Sequence, residues 1–358
     1  MDSHGLHQTA LVGTADGTIC VTHAAPVPGA IDDKIVVRVK AVSVGPVDAK
    51  MMGPYVAPGA IAGCDFAGVV ESLGPDVTED FQVGDRVCTA VLGMNALEPS
   101  VGAFAEYTAA AQWTLLRVPS HMSLEEGASL GISFMTIGLA LFSSLKLSGR
   151  PLAPASQPLP VLVYGGSSST GTAAIQLLKM AGYEPLTTCS ASNFDLVRGY
   201  GAGAVFDYRD PGCAAAIKRH TNNELQYAVD CISTSASMQL CYLALGRAGG
   251  KYTALEPYNE AIAQSRKVIK PDWVMGPHML GKEIPWPAPH GRPADPELAK
   301  FAAEWTRTLR QLLNQDLILP HPLAIRQGTL PDVLDGIADV RARKISGKKL
   351  VYSLQSDV

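Results

Sequence analysis

From residue 161 the chain alternates short apolar runs with helical patterns, and this constrains the fold more than any other feature. The runs fall at 161–164, 184–188, 204–206, 225–231 and 250–255, separated by helical segments at 171–182, 193–200, 212–220 and 235–245. Strands that return through helices pair in parallel, so the pattern predicts a doubly wound α/β sheet. The first turn, YGGSSSTG (164–171), is rich in glycine. Gly165 and Gly166 permit a tight turn, Gly171 permits close packing of the following helix, and N–H groups at the helix start suit a pyrophosphate. The hydroxyls of Ser167, Ser168, Ser169 and Thr170 add donors. A plain turn without a ligand is the alternative, and the strand–loop–helix context weighs against it.

The end of the second strand reports which dinucleotide such a turn would hold. NAD sites place an acid there for the ribose 2′-OH. This chain has TTCS (187–190) followed by Ala191, Ser192 and Asn193. An acid would repel a 2′-phosphate, whereas Ser190, Ser192 and Asn193 can donate to it, so NADPH is expected over NADH. Tyr208, after the third strand, could stack on or bond the adenosine end. No arginine was found near the second strand to clamp the phosphate.

The first ~120 residues read as strands at 35–42, 67–74 and 103–108, with a turn at 83–87 leading into another, which suggest a compact, partly open β-barrel. At Ser123 the period changes to helical, with Ser123 as N-cap and Glu126 as its capping-box partner. Proline-rich stretches at 149–160 and 283–293 bracket the α/β region. A helix at 295–314 follows, and a strand–helix–strand tail at 321–352 could return to the first domain. The expected division is therefore 1–122 with 316–358 for one domain and 123–315 for the other.

Residues 127–145 carry no charge, nearly the length of a membrane span. Four Ser, one Thr and three Gly within them favour a buried helix instead. The N-terminal MDSHGLHQTA lacks the pattern of a secretory signal. Seven scattered cysteines without C-x-x-C pairs suit a reducing cytoplasm and give no cysteine zinc cluster. A net charge of −4 offers no general electrostatic case for nucleic acid. The expectation is a soluble protein with neither membrane nor nucleic-acid partner.

Four motifs in the first domain, GPVDAK (45–50), GCDFAG (63–68), VGDRV (83–87) and GAFAEY (102–107), resemble the N-terminal part of medium-chain dehydrogenases/reductases. That resemblance implies a GroES-like partly open barrel as catalytic domain beside a Rossmann cofactor domain. Zinc members carry a Cys near Pro46 and a His-Glu pair where this chain has Cys64-Asp65. Cys64 alone does not make a zinc site, so a zinc-free reductase is expected. Asp65-Phe66 reads as a structural turn with a core phenylalanine.

The further set PVDAK, YGGSSSTGT, TTCS, NFDLV (193–197), VFDYR (205–209), YAVDCI (227–232), GRAGG (246–250), WPAPHGRP (286–293) and SGKKLV (346–351) resembles the fungal trans-acting enoyl reductases of lovastatin type. Those enzymes serve highly reducing polyketide synthases. The resemblance implies NADPH contacts from Val47, Asp48, Ala49 and Lys50, from Ser167–Thr170, and from Ser190, Ala191, Ser192 and Asn193. Tyr208, Leu255, Glu256, Ile345 and Ser346 complete that set. It also implies acyl-chain contacts from Ile137, Gly138, Leu139, Ala140, Leu141, Phe142, Ser143 and Ser144. A second group is Gly276, Pro277, His278, Met279 and Leu280. The bulk of Phe134, Met135 and Phe142 would narrow the tunnel.

The implied reaction is hydride transfer to the β-carbon of an α,β-unsaturated thioester, then protonation of the enolate at the α-carbon. Lys50 is the first candidate donor, against a solvated surface lysine. Tyr55 stands about one residue from the position of a tyrosine proton donor in related reductases, against a packed loop tyrosine. Thr136 could bond the carboxamide or thioester, or merely a helix neighbour, and water could be the final donor. The 286–293 segment reads equally as a carrier-docking lid or a passive connection. The implied partner is a highly reducing polyketide synthase, or a synthase–peptide synthetase hybrid, with its acyl carrier domain, and the implied state is a monomer. A quinone or small-enone reductase and a non-catalytic NADPH-binding scaffold are the competing functions.

Overall fold

The computed structural model describes residues 7–355. Most of the segment read for a secretory signal, residues 1–6, lies outside them. The chain forms two compact units, one running to Ile132 and resuming at Pro277, the other Ser133–Gly276.

The first unit opens with an antiparallel pair, β1 (His7–Gly13) and β2 (Ile19–Pro26). Its main sheet is built on the long strand β3 (Lys34–Val44), flanked by β4 (Asp65–Leu73), then β5 (Arg86–Ala90), with β6 (Tyr107–Ala111) and β7 (Leu116–Arg117) closing it. The strand expected at 103–108 begins later, at Tyr107, where it pairs with Arg38. Ile35, Phe66, Phe104 and Leu115 are fully buried in the core of this unit.

The second unit is a six-stranded parallel sheet made of β8 (Pro160–Tyr164), β9 (Glu184–Cys189), β10 (Ala204–Asp207), β11 (Tyr227–Asp230), β12 (Gly250–Ala254) and β13 (Ile269–Trp273). Its spatial order is β10-β9-β8-β11-β12-β13. Numbered from β8, this is the order 3-2-1-4-5-6 of a dinucleotide-binding fold, whose direction of winding reverses between β8 and β11. The apolar runs set this sheet: Val161, Leu162, Val163, Ala228 and Val229 are fully buried, as expected of central parallel strands covered on both faces.

The tail does return to the first unit. The strand β14 (Leu323–Gly328), helix Leu330–Arg341 and strand β15 (Lys349–Leu354) follow in order, and Leu350 of β15 pairs with Val44 of β3. Helix Pro296–Asn314 joins this unit too, with Arg310 donating to the carbonyls of Leu115 and Gln112 and pairing with Glu79. The unit boundaries thus differ from the expected 122/123 and 315/316.

Ser123 caps its helix as expected: its Oγ accepts from Glu126 N at 3.1 Å, and Glu126 Oε2 accepts from Ser123 N at 2.8 Å. The helical run Leu124–Ser144 is long and apolar enough to cross a membrane, yet 83% of its most apolar window is buried. Its last six residues, Leu139–Ser144, form a π-helix, a widened turn that recurs at functional sites.

Candidate active site

In the second unit the glycine turn sits where β8 ends. Gly165 has φ +82°, and both it and Gly166 donate to the Thr188 carbonyl, at 3.1 and 3.0 Å. A Cβ on Gly171 would stand 2.3 Å from the Gly165 carbonyl oxygen, so the absence of a side chain lets helix Ser169–Met180 start directly on the turn. The first amides of that helix lack intrahelical partners, which is the chemistry a pyrophosphate requires. The residues fit such a group.

The four hydroxyls divide their work. Ser168 Oγ accepts from Gly171 N at 3.1 Å and donates to the Gly165 carbonyl at 2.8 Å, so it is an N-cap. Ser169 Oγ bonds Ser133 Oγ at 2.5 Å, Thr170 Oγ1 lies 3.3 Å from Ser168 Oγ, and Ser167 is half-buried. Three hydroxyls therefore already have protein neighbours, where sequence alone had read all four as donors to a ligand.

After β9 the chain makes a single turn at Ala191–Asn193. Asn193 Nδ2 donates to Ser190 Oγ at 3.1 Å, and Ser192 Oγ lies 3.2 Å from the same atom. The three side chains of this cup, Ser190, Ser192 and Asn193, are neutral and polar. Strand β10 pairs with β9 in register Asp207↔Cys189, so Asp207 stands beside the end of β9, and Tyr208 and Arg209 follow it directly in the chain. Tyr208 is 41% exposed, its ring is 6.1 Å from that of Tyr164, and the Arg209 guanidinium lies 5.5 Å over it. Arg209 is the functional candidate that sequence reading missed. Its signal was the parallel pairing, which sets Asp207 opposite Cys189 and so carries the residues after it to the end of β9. Leu255 and Glu256 follow β12, and Leu255 N donates to Ser233 Oγ at 2.8 Å.

Thr136 is buried on helix Gly131–Gly138. In the acyl-contact segment Ile137–Phe142 is buried, while Ser143 and Ser144 are half-buried. Ser144 Oγ donates to Asp272 Oδ2 at 2.5 Å and contacts Thr253 Oγ1. Gly276–Leu280 forms a 3-10 turn, and Pro277 and Leu280 line a cleft of about 130 Å³ with Leu92 and Trp113.

In the first unit, helix Pro46–Lys50 carries proline at its first position, where no amide is needed. Val47 is half-buried and Lys50 exposed, whereas Asp48 and Ala49 are buried. The Asp48 side chain faces inward: Oδ2 accepts from Gly45 N at 2.8 Å, and Oδ1 is buried without a hydrogen-bond partner. Burial pushes its pKa up to about 7, against the Gly45 amide and the Lys349 charge. Tyr55 lies in the 3-10 turn Gly53–Tyr55, and its hydroxyl is 2.9 Å from His290 Nδ1. Trp286 meets the Tyr55 ring edge-on at 6.4 Å and donates from Nε1 to the Met94 carbonyl. The 286–293 segment is thus tied to the candidate proton donor. Ile345 is half-buried and Ser346 exposed, just before β15.

Asp65 is buried and fully engaged. It accepts from Ile132 N at 2.6 Å, Ser43 Oγ at 2.9 Å and Lys349 Nζ at 3.1 Å, while Phe66 enters the core. Burial holds the neighbouring Cys64 thiol well above its ordinary pKa, far from the thiolate a metal needs. Among the described residues no three His, Cys, Asp or Glu side chains are placed to hold a metal ion.

Residues 31–120 match the alcohol dehydrogenase GroES-like domain, and residues 169–266 match the family model described as zinc-binding dehydrogenase. A trans-enoyl reductase of Fusarium sp. (strain FN080326) is 64% identical over 348 residues, covering 97% of this chain and 99% of the relative. One from Talaromyces variabilis is 57% identical, covering 98% of each. The chain belongs to the trans-enoyl reductase family of medium-chain dehydrogenases/reductases. Such reductases typically bind a nicotinamide cofactor. The crystal structure of CurK enoyl reductase superposes with a TM-score of 0.77 at 16% identity, covering 98% of this trans-enoyl reductase and 100% of that chain, and so shares the fold.

Proposed function

We propose that this trans-enoyl reductase is a cytoplasmic, monomeric, NADPH-dependent enzyme. Its substrate would be an α,β-unsaturated polyketide thioester on the acyl carrier domain of a partner highly reducing synthase. The observation that carries the reading is end-to-end similarity to trans-enoyl reductases, joined to an acid-free cup at the end of β9. Seven free cysteines suit a reducing compartment.

When bound, the nicotinamide supplies the hydride for the β-carbon. The glycine turn and the start of helix Ser169–Met180 hold the pyrophosphate, and Ser190, Ser192 and Asn193 donate to the 2′-phosphate. Arg209 adds a charge-assisted contact to the same phosphate, with Tyr208 against the adenosine. Val47 and Lys50, the backbone of Asp48 and Ala49, and Leu255, Glu256, Ile345 and Ser346 line the remainder. Lys50 and Thr136 place hydrogen-bond donors toward the thioester and carboxamide, where charge develops. Tyr55, held by His290, delivers the α-carbon proton. Residues 137–144 and 276–280 shape the acyl channel.

The test is loss of NADPH absorbance with enoyl-pantetheine thioesters, then with quinones. Turnover of thioesters is expected. Turnover of quinones alone would overturn the reading, and tight NADPH binding without turnover would favour a scaffold.

A further inference from the structure

Three buried ionisable side chains converge in the first unit. Asp48, Asp65 and Lys349 are 4%, 2% and 7% exposed, so none can touch a substrate. Lys349 Nζ bonds Asp65, and it also faces Asp48 across Gly45: a Cβ on Gly45 would stand 3.3 Å from Lys349 Nζ and 3.8 Å from Asp48 Oδ2. Lys349 therefore pairs with one carboxyl group, that of Asp65, and lies near a second, that of Asp48, whose Oδ1 atom is left unpartnered. His321, buried beside Lys349, adds no charge, since burial and the ammonium push its pKa down to about 4. The Cys64 thiol nearby stays protonated.

Such a cluster is a poor device for stability. Buried ion pairs are commonly matched or bettered by apolar packing, and an orphaned carboxylate oxygen carries a desolvation cost. What it does offer is a fixed point. Asp48 belongs to helix Pro46–Lys50 and caps its start, so it sets the position of Lys50. Asp65 receives the Ile132 amide at the start of helix Gly131–Gly138, which carries Thr136. Lys349 opens β15, three residues after Ser346. Arg341 reinforces the first of these attachments by donating to the Ala49 carbonyl at 3.0 Å.

We propose that Asp48, Asp65 and Lys349 form the positioning centre of the active site, fixing Lys50, the start of the Thr136 helix and the 345–346 loop to one buried anchor. This rests on the enoyl reductase reading above. The three are positioning residues and act through the segments they hold.

The test compares Asp65→Ala with Asp65→Asn, because asparagine keeps an oxygen for the Ile132 amide. Three readouts are taken: hydrogen exchange at Ile132 in the cofactor-free protein, NADPH affinity by fluorescence, and kcat and KM with an enoyl-pantetheine thioester. Misplacement by a fraction of an ångström to an ångström predicts faster exchange and a kcat/KM lowered about tenfold to a hundredfold in Asp65→Ala. Asp65→Asn should recover most of both. Folded Asp65→Ala with wild-type exchange, affinity, kcat and KM would overturn the proposal. If Asp65→Ala does not fold, Lys349→Met carries the same test, with the same loss expected and wild-type constants again overturning it. Failure of the wild type to reduce thioesters would sink the enoyl reductase reading and leave the exchange and affinity comparison standing.

Discussion

At the scale of single residues, the NADPH reading makes predictions for Ser190 and Arg209, and Asp48 makes one for pH. The residues after β9 lack the acid that would repel a 2′-phosphate. Ser190→Asp should weaken NADPH binding by about tenfold, or about 1.4 kcal/mol, and spare NADH. Arg209→Ala should lower affinity for NADPH and leave NADH unchanged; titration of both cofactors by fluorescence checks the pair. Equal losses for both cofactors would remove these residues from the 2′-phosphate site. Asp48 gives a different signature. Its folded pKa of about 7 lies above the ordinary 3.8, so between about pH 4 and pH 7 the folded chain holds a proton that the unfolded chain has lost. The stability this group contributes is therefore present at low pH and lost as pH rises through about 7. Asp48→Asn should lack that slope, and denaturant midpoints across the window should converge or cross with wild type. Parallel curves would show that Asp48 does not titrate there.

At the scale of elements, the N-cap and the turn matter more than the hydroxyl count. Ser168→Ala removes the cap of helix Ser169–Met180 and should cost about 1 kcal/mol, with weaker NADPH binding. Ser167→Ala should leave thermal stability nearly unchanged. Thermal melts separate the two, and equal effects would mean that Ser168 does not act as a cap. The alternation of apolar runs and helices made the parallel sheet legible in advance, because burial on both faces leaves a continuous apolar signal. The Ser123–Glu126 capping box was legible for the same local reason. Arg209 and His290 were not legible, since each meets its partner through strand pairing or loop packing rather than spacing along the chain. β1, β2 and β13 were missed as well. IKPDW carries a proline and two charged residues, and only pairing with β12 makes it a strand. Asp48 is expected among the cofactor contacts, and only the fold reveals that its side chain points into the core.

At the scale of the whole molecule, fold and family fix less than the sites do. A fold shared at 16% identity with another enoyl reductase says nothing of substrate, so the functional claim stands on the 64% identity to a trans-enoyl reductase, joined to the acid-free cup. The edge strand β13 bears on assembly: Pro271 sits mid-strand, and Lys270 and Asp272 are exposed on either side. Proline and charge blunt pairing with another sheet edge. Sedimentation of the full chain should therefore give a single-chain mass, and a stable dimer would contradict this. The central claim is tested most directly by following NADPH consumption with an enoyl thioester presented on an acyl carrier domain. The expected result is one NADPH oxidised for each double bond reduced, with NADH and quinones poor substitutes. Quinone turnover in the absence of any thioester reduction would contradict the account.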